Sequence, residues 1–455
     1  MEKVKTRIAP SPTGKMHIGN ARTALINYIV AKQNGGVFLL RIEDTDRERS
    51  KKEYEEDILE NLEWLGIRWD EFYRQSERVS LYRRYLEKLL KEGHAFYCPH
   101  NSEETKGSIH FCEFRSKGVG ESKGIIRFKT PRDSKVQFKD IIRGEVQFDT
   151  NEIGDFSIAK GLDEPLFNFA VVIDDYEMQI SHVIRGEDHL SNTPKHVLLQ
   201  KVLGFAIPTY AHFPIILGPD KTKLSKRHGA VSVSEFRRNG YIAEALINMM
   251  AFLGWNPGDD REFFSLEELI KEFSLERVKK GGAIFNRQRL DFLNHHYLKT
   301  LSLEKIVAYA KPFFDAHYGK LPSEERLQSL VALGRQRAKT LEDIAREVDY
   351  AFTLPEYNRD LLLWKKQSAN EAREALGKSL QIIEKIFVKE YNERTIEEQL
   401  LLSIGQGPDK GEMLWPLRVA LSGKRVSPGP FAIASLLGKE ETIKRLHHAI
   451  AKISS

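Results

Sequence analysis

Two short motifs in this sequence contain residue types that can bind a nucleoside triphosphate. The first, Pro10-Ser-Pro-Thr-Gly-Lys-Met-His-Ile-Gly-Asn20, has glycines that allow close backbone approach and a histidine that can donate a hydrogen bond to phosphate. The second, Lys223-Leu-Ser-Lys-Arg227, places three cations in five residues after a Gly-Pro-Asp turn, which suits a triphosphate whose charge redistributes during reaction. Taken singly, each has a commoner alternative: a helix-capping turn for the first and a solvated basic loop for the second.

The first motif lies between elements that form a βαβ unit. Residues 4–8 alternate as a strand would, a loop rich in proline and glycine runs to Gly19, and a helical pattern begins at Ala21. Residues 37–42 form an apolar run typical of a strand buried on both faces of a parallel sheet. This arrangement places His17 where a strand leads into a helix, and the helix N-terminus offers unpaired N–H groups to phosphate.

The later sequence interrupts this pattern once and then becomes helical. Short β-like segments occupy about residues 97 to 165, after which the α/β pattern resumes and a helix begins near Asn192 or Thr193. From about residue 240 helices dominate, with capping boxes at Ser265-x-x-Glu268 and Thr395-x-x-Glu398. We therefore expect a Rossmann-like doubly wound parallel sheet, split by an inserted α+β domain and followed by an all-α C-terminal half. The expected domains are 1–96 with 180–238, 97–179, 239–320 and 321–455.

The composition is that of an ordinary folded protein of several domains. The chain has 455 residues, of which 41% are hydrophobic and 30% charged. It contains no apolar run of about 18 residues and no N-terminal export signal, so we expect a cytoplasmic protein without a membrane partner. The net charge of +5 suits a polyanionic partner but is shared by many proteins that bind none.

The only two cysteines each lie two residues from a histidine. Cys98-Pro-His100 and His110-Phe-Cys112 supply two thiolates and two imidazoles, a plausible tetrahedral set for one structural Zn²⁺. The alternative is two ordinary thiols and two surface histidines. Both interpretations stay open at this point.

The two motifs together resemble those of class I aminoacyl-tRNA synthetases, which read approximately His-Ile-Gly-His and Lys-Met-Ser-Lys-Ser. Here Asn20 and Arg227 replace the last residue of each. Further phrases make nearly the whole chain similar to the bacterial-type glutamyl branch of that class. These are Arg41-Ile-Glu-Asp-Thr-Asp46, Val183-Ile-Arg-Gly-Glu-Asp-His189, Leu253-Gly-Trp-Asn-Pro-Gly-Asp-Asp260 and Pro416-Leu-Arg-Val-Ala-Leu-Ser-Gly423.

The resemblance implies that L-glutamate is ligated to tRNA(Glu) through a glutamyl-adenylate, with release of AMP and pyrophosphate and with ATP bound as its Mg²⁺ complex. It implies His17 and Lys226 as catalytic residues. The ATP-binding set would be Pro12, Thr13, Gly14, His17, Gly19, Asn20, Lys223, Ser225 and Lys226. The glutamate-binding set would be Arg7, Ala9, Ser11, Glu43, Phe167 and Arg185. Charging of tRNA(Gln) stays open, and we expect a monomer.

The chemistry of glutamate agrees with part of this set. Two carboxylates and one ammonium call for guanidinium groups and an anionic acceptor, which Arg7, Arg185 and Glu43 supply. The alternative for Glu43 is a surface ion-pair cluster with Arg41, Asp44 and Asp46, in which one aspartate caps a helix. Phe167 departs from the family, which commonly has tyrosine there, so any hydrogen bond from that position must be supplied elsewhere.

The resemblance also implies a role for each expected domain. Residues 97–179 would bind the tRNA acceptor end, 239–320 would contact its stem, and 321–455 would read the anticodon. The last region contains basic residues suited to phosphates and unstacked bases, namely Arg335, Arg337, Lys339, Arg418, Lys424 and Arg425. Three alternatives remain: a small-molecule nucleotidyltransferase, a shorter synthetase-like enzyme that modifies a tRNA base, and a catalytically silent RNA-binding relative. The first two do not need the helical C-terminal half.

Overall fold

Parallel strands at the N-terminus form the predicted sheet. The computed structural model describes residues 3–100, 109–116, 124–229, 231–405 and 409–454. Strands β1 (Lys5–Ile8), β2 (Val37–Ile42) and β3 (Glu71–Arg74) pair in parallel, and helices α1 (Ile18–Gln33), α2 (Lys52–Trp64) and α3 (Val79–Lys91) follow them. Five of the six residues of β2 are buried, as expected for a strand covered on both faces.

The inserted segment contributes one separate sheet and one hairpin. Strands β4 (Ala95–Cys98) and β5 (Ile125–Phe128) pair antiparallel and are extended by β8 (Ser157–Gly161) and β9 (Glu164–Pro165). Between them in sequence, β6 (Lys135–Asp140) and β7 (Gly144–Asp149) form an antiparallel hairpin.

The second half of the split sheet follows the insertion and pairs with this hairpin. After α4 (Phe167–Glu177), β10 (His182–Gly186), α5 (Thr193–Leu203) and β11 (Thr209–Phe213) complete an α/β unit. Strand β11 pairs in parallel with β6, where Tyr210 lies opposite Asp140, so the hairpin belongs to this sheet although it lies within residues 97–179. The backbone N–H of Ser181 donates to the Lys5 carbonyl at 3.0 Å and joins the two halves.

The remaining elements of the first compact unit, Met1–Leu293, are short. They are β12 (Ile216–Leu217), α6 (Val233–Arg238), α7 (Ala243–Phe252), α8 (Leu266–Glu272), β13 (Ala283–Ile284) and the start of α9 (Arg287–Thr300). The capping box predicted at Ser265 is confirmed, because its hydroxyl accepts from the Glu268 N–H and Glu268 accepts from the Ser265 N–H.

The second unit, Asn294–Ser455, is helical in the residues described. Its helices are α10 (Leu303–Tyr318), α11 (Glu324–Gly334), α12 (Leu341–Glu347), α13 (Ala369–Lys385), α14 (Glu393–Ile404), α15 (Gly411–Ser422), α16 (Pro430–Leu437) and α17 (Lys439–Ser454). The capping box predicted at Thr395 is wrong. Helix α14 begins at Glu393 and is capped by Asn392, whose side chain accepts from the Thr395 N–H at 3.0 Å, since an asparagine caps as well as a threonine.

Among the helices in the described ranges, none is long and apolar enough to cross a membrane. The fold class is confirmed: a split Rossmann-like α/β region precedes a helical half. The division into four functional domains stays a prediction.

Candidate active site

One large cleft opens at the carboxyl ends of β1, β2 and β10, the edge where parallel sheets bind ligands. Its volume of about 1900 Å³ exceeds the roughly 300–1,000 Å³ of a single-ligand site, so it has room for more than one substrate. The predicted site residues that line it are Arg7, Ala9, Ser11, Thr13, Gly14, His17, Gly19, Asn20, Glu43, Phe167, Arg185, Lys223 and Ser225.

Arg185 is a buried guanidinium without a carboxylate partner among the described residues. Its side chain is 6% exposed, and its hydrogen bonds go to neutral acceptors: Nε to His212 Nε2 at 3.1 Å, and Nη2 to Thr193 Oγ1 at 2.8 Å. Burial lowers the pKa of Arg185 to about 10, so the group stays charged at neutral pH. An uncompensated buried charge is costly, and a ligand carboxylate in the cleft would compensate it.

Arg7 also lines the cleft, and it is held by Asp175. Its Nε and Nη2 donate to the two Asp175 oxygens at 3.1 and 3.3 Å. Arg41 Nη1 donates to Asp175 at 2.9 Å, and Arg41 Nη2 donates to Glu43 at 3.1 Å. Burial alone would raise the pKa of Asp175, but Arg7 and Arg41 hold it below its ordinary value. This network fixes Arg7 and Glu43 at the cleft.

The alternative considered for Glu43, a surface ion-pair cluster with Arg41, Asp44 and Asp46, does not form as a unit. Arg41 and Glu43 are a buried pair, with Arg41 fully buried. Asp44 accepts from the Ser76 N–H and hydroxyl, and Asp46 pairs with Arg49 at the surface. Neither aspartate caps α2, whose N-cap is Lys51, because both carboxylates already have other partners. Burial raises the pKa of Glu43 against the opposing effect of Arg41.

Neutral rings lie around Phe167 and Arg185 in the predicted glutamate pocket. Phe167 lies 5.6 Å from the ring of His189 and 6.0 Å from that of His196, measured between centroids. Burial lowers the pKa of His189 to about 4 and that of His196 well below its ordinary range, and Arg185 lowers both further. The positive charge of this pocket therefore comes from arginine and not from histidine.

His17 acts as the N-cap of α1. Its Nδ1 accepts from the N–H groups of Gly19 at 3.1 Å and Asn20 at 3.3 Å, so the neutral ring carries its proton on Nε2. Partial burial within the cleft is the main effect that lowers the pKa of His17. The positive charge of Lys223 lowers it further. A neutral histidine with Nε2–H free to donate fits the predicted contact with phosphate.

The helix N-terminus itself differs from expectation. The Ile18 N–H donates to the Val231 carbonyl at 2.9 Å, and the Ala21 N–H donates to the His17 carbonyl at 3.1 Å. With Gly19 and Asn20 donating to His17, all four N–H groups of the first turn have partners. The expectation of unpaired N–H groups for phosphate is therefore not met, and His17 takes their place at the cleft surface.

The second motif forms a loop that is held by a histidine. His228 Nδ1 accepts from the Ser225 N–H at 3.1 Å, and its Nε2 lies 3.2 Å from Asp220. Arg227 also pairs with Asp220, at 3.2 Å. Lys223 and Ser225 reach the cleft. Lys226 begins a short 3₁₀ turn, Lys226–His228, and its side chain lies outside the part of the structure that is described.

Some site residues differ from the sequence-based set. Pro12 is buried, and its carbonyl accepts from the Lys51 N–H at 3.0 Å, so it shapes the loop beneath the cleft. The sequence analysis missed Asp175, which accepts from Arg7, and His212, which accepts from Arg185 and contacts Asp140. The adjacent acids in Val171-Val-Ile-Asp-Asp175 were the available signal, because acidic residues inside an apolar helical run must find buried partners. Asp140 and His212 gave no such signal.

The two cysteines and two histidines come together in the inserted segment. Cys98 Sγ lies 3.3 Å from Cys112 Sγ, 3.5 Å from His100 Nδ1 and 3.6 Å from His110 Nε2, and all four donor atoms lie within 4.8 Å of one another. With zinc bonds of about 2.3 Å to sulfur and about 2.0 Å to nitrogen, a tetrahedron has edges of about 3.3–3.8 Å. The residues fit a zinc ion.

The Asp155 carboxylate and backbone N–H bind the backbone next to this cluster. Asp155 accepts from the backbone N–H groups of Cys112 and Thr130, each at 3.1 Å, and its own N–H donates to the His110 carbonyl at 2.6 Å. These bonds fix the segment that carries two of the four donors.

Comparison with known families defines the class of protein. A family model for tRNA synthetases class I (E and Q), catalytic domain, matches residues 3–111 and 108–292. A second model, an anticodon binding domain, matches residues 305–450. The split sheet and the helical half thus correspond to a class I synthetase with an anticodon-binding region.

Individual relatives narrow the class. The chain is 42% identical to glutamate–tRNA ligase 2 of Thermoanaerobacter pseudethanolicus, covering 99% of this chain and 98% of the relative. It is 42% identical to the glutamate–tRNA ligase of Aquifex aeolicus over the full length of both. A crystal structure of a glutamate tRNA ligase from Elizabethkingia meningosepticum, in complex with its amino acid, superposes with a TM-score of 0.87 at 35% identity, covering 99% of this chain and 100% of that one. The chain belongs to the glutamate–tRNA ligase family, as the sequence predicted.

Proposed function

We propose that this chain ligates L-glutamate to tRNA(Glu) in two steps within the described cleft. In the first step a glutamate α-carboxylate oxygen attacks the α-phosphorus of ATP, entering as its Mg²⁺ complex, and pyrophosphate leaves. In the second step a terminal ribose hydroxyl of tRNA attacks the acyl carbon of glutamyl-adenylate, and AMP leaves. Neither step needs a side-chain nucleophile, so the protein acts by positioning and charge stabilisation.

The observation that carries this proposal is Arg185, a buried guanidinium that faces the cleft without a carboxylate partner among the described residues. Arg7, Arg41, Arg78 and Arg185 bear four positive charges, and their ion-pair partners Glu43, Asp174 and Asp175 bear three negative charges. The excess of one positive charge matches glutamate, whose two carboxylates and one ammonium sum to one negative charge. Glutamine is neutral overall and would leave the excess unbalanced.

The proposed ATP-binding residues belong to the two sequence motifs. His17 would donate its Nε2–H to a phosphate oxygen as negative charge develops there, while Lys223 and Lys226 would follow the β- and γ-phosphates. Ser225, Thr13, Gly14, Gly19 and Asn20 would form the walls around the nucleotide.

The adenylate step is tested with ATP labelled at the α-phosphate. When the protein is mixed with glutamate and tRNA(Glu), labelled AMP should form in proportion to the glutamate attached to tRNA. Acid quenching before charging is complete should trap labelled glutamyl-AMP. A tRNA ending in 2′-deoxyadenosine should stop the second step if the 2′-hydroxyl is the nucleophile. Conversion to ADP instead of AMP would defeat the proposed route.

For tRNA recognition, the helical unit offers an aromatic cleft of about 700 Å³. The rings of Trp364 and Trp415 lie 5.0 Å apart between centroids, and the Arg418 guanidinium lies 4.4 Å from the Trp415 ring. Arg425 is exposed at the rim. Aromatic and guanidinium planes stack on unstacked bases, so we propose that this cleft receives the anticodon. Arg337 and Lys424 are instead held by Glu347 and Asp349.

We also propose that Cys98, His100, His110 and Cys112 hold one structural Zn²⁺. The ion would link β4 to the segment before the short 3₁₀ turn Glu113–Ser116. Purified protein should contain about one zinc per chain, and Cys112→Ser should lose it, because three remaining ligands bind much more weakly. Zinc content is measured by mass spectrometry and melting by calorimetry. Removal of zinc by a chelator should lower the melting temperature of the parent but not of Cys112→Ser.

His448→Asn, at an exposed histidine, is the matched control. Equal zinc content in all three proteins would contradict the site.

A further inference from the structure

A buried hydrogen-bond chain lies behind Arg185 and ends at Asp140. The Asp140 Oδ2 atom lies 2.7 Å from His212 Nδ1, and His212 Nε2 lies 3.1 Å from Arg185 Nε. The side chains of Asp140 and His212 are both fully buried. Neither lines the cleft, so neither can touch a substrate bound there.

The direction of these hydrogen bonds is determined by the chemistry of the three groups. An arginine Nε–H only donates, so His212 Nε2 must accept and the histidine proton must be on Nδ1. That proton is donated to the Asp140 carboxylate. A carboxylate that fixes one tautomer of a histidine also fixes the orientation of the ring. The acceptor that holds Arg185 therefore depends on Asp140.

Asp140 is itself fixed by the turn between β6 and β7. Its Oδ1 accepts from the N–H groups of Ile142 at 2.9 Å and Arg143 at 2.8 Å. The Arg143 side chain donates to the His212 carbonyl at 3.2 Å and also pairs with Glu187, two residues after Arg185. The β6–β7 hairpin thus contacts both His212, which holds Arg185, and Glu187 in the segment after Arg185.

The remaining hydrogen bonds of Arg185 show how the Asp140–His212 hydrogen-bond chain orients its guanidinium. Nη2 donates to Thr193 Oγ1 and lies 3.3 Å from His196 Nδ1, while Nη1 has no hydrogen-bond partner among the described residues. With Nε held by His212 and Nη2 by Thr193, the guanidinium plane is fixed and Nη1 is the nitrogen left for a ligand.

We propose that Asp140 and His212 are positioning residues that orient the Arg185 guanidinium and so set the affinity for glutamate. The inference rests on the proposed role of Arg185 in binding a glutamate carboxylate. It extends the proposed glutamate site to a residue of the β6–β7 hairpin, which no sequence motif connects with the amino acid.

The first test is Asp140→Asn. The asparagine oxygen stays with the N–H groups of Ile142 and Arg143, so its NH₂ group faces His212 Nδ1. The histidine proton then moves to Nε2, where it faces the Thr193 hydroxyl at 2.9 Å and the Arg185 Nε–H at 3.1 Å, so His212 no longer accepts from Arg185. Glutamate KM in tRNA(Glu) charging should rise about 10- to 100-fold, the range that a hydrogen bond to a charged group is worth, with ATP KM unchanged.

A matched pair at position 212 separates orientation from packing. His212→Asn keeps a donor for Asp140 but cannot reach Arg185, so glutamate KM should rise as in Asp140→Asn. His212→Gln places an amide oxygen near the former Nε2 and should raise glutamate KM clearly less. Adding Asp140→Asn to His212→Gln should then have no further effect on glutamate KM. Glutamine has no ring tautomer that Asp140 could fix. His182→Asn, on the neighbouring β10 strand, is the control.

Two patterns overturn the inference. One is an unchanged glutamate KM in Asp140→Asn while Arg185→Gln raises it, which would leave the proposed function intact. The other is an equal rise in glutamate and ATP KM in all variants, which indicates general damage to the fold. If Arg185→Gln itself leaves glutamate KM unchanged, the proposed function of Arg185 and this inference both fail.

Discussion

Replacing Lys226 by alanine is expected to slow glutamyl-adenylate formation by roughly 10²- to 10³-fold, the usual effect of removing one transition-state donor. Charge on the phosphates shifts toward the departing pyrophosphate, and a lysine on a loop can follow it. The residue does not contact tRNA in the proposed mechanism, so tRNA affinity should stay essentially unchanged. Pyrophosphate exchange, measured with and without tRNA(Glu), reports the first step alone.

The control for this variant is Lys221→Ala. Lys221 is an exposed cation of the same loop that does not line the cleft, so the exchange rate should stay at that of the parent protein. Loss of exchange in both variants would point to a general effect of positive charge on the loop. Equal exchange rates in Lys226→Ala and the parent would remove Lys226 from the mechanism.

Replacing Arg185 by glutamine is expected to raise glutamate KM about 100-fold, since losing one partner of a buried hydrogen-bonded charge pair costs about 2–5 kcal/mol. The loss falls on the amino acid because Arg185 is buried against the proposed glutamate pocket and is held only by neutral side chains. ATP KM should change little. Arg185→Lys keeps the charge but loses the planar group, so its glutamate KM should lie between those of the parent and Arg185→Gln.

Arg445→Gln provides the matched control. Arg445 is also a buried arginine, 4% exposed, and it donates to the Leu421 carbonyl and to Glu441 in the helical unit. Its loss should lower the melting temperature without changing glutamate KM. An Arg185→Gln protein with normal glutamate KM and a lower melting temperature would show that Arg185 is structural only.

The sequence was sufficient to predict the fold class, and the resemblance it carries named thirteen residues that line the cleft. Strand, loop and helix around His17 follow from local periodicity, and the apolar run of β2 indicated a buried parallel strand. The first helix begins three residues before the predicted Ala21, at Ile18, because the His17 side chain caps it. A histidine cap is not among the favoured capping residues, so no common sequence pattern indicated it.

What the sequence could not predict depends on contacts between distant residues. Asp140 and Arg185 are 45 positions apart, yet they are joined through His212 once β6 pairs with β11. The pairing is parallel and joins Asp140 to Tyr210, which lies 70 positions further along the chain, and no local pattern encodes it. The alternative of a surface ion-pair cluster for Arg41 and Glu43 stayed open from the sequence for the same reason, because their buried partner Asp175 lies on the distant helix α4.

The measurement that tests the central claim most directly is charging of purified tRNA(Glu) and tRNA(Gln) by the parent protein, with labelled glutamate and with labelled glutamine. Glutamate should be attached to tRNA(Glu) in an ATP-dependent reaction, and glutamine should be attached to neither tRNA. Glutamate on tRNA(Gln) as well would identify relaxed tRNA choice within the same activity. Absence of glutamate from both tRNAs would contradict the account.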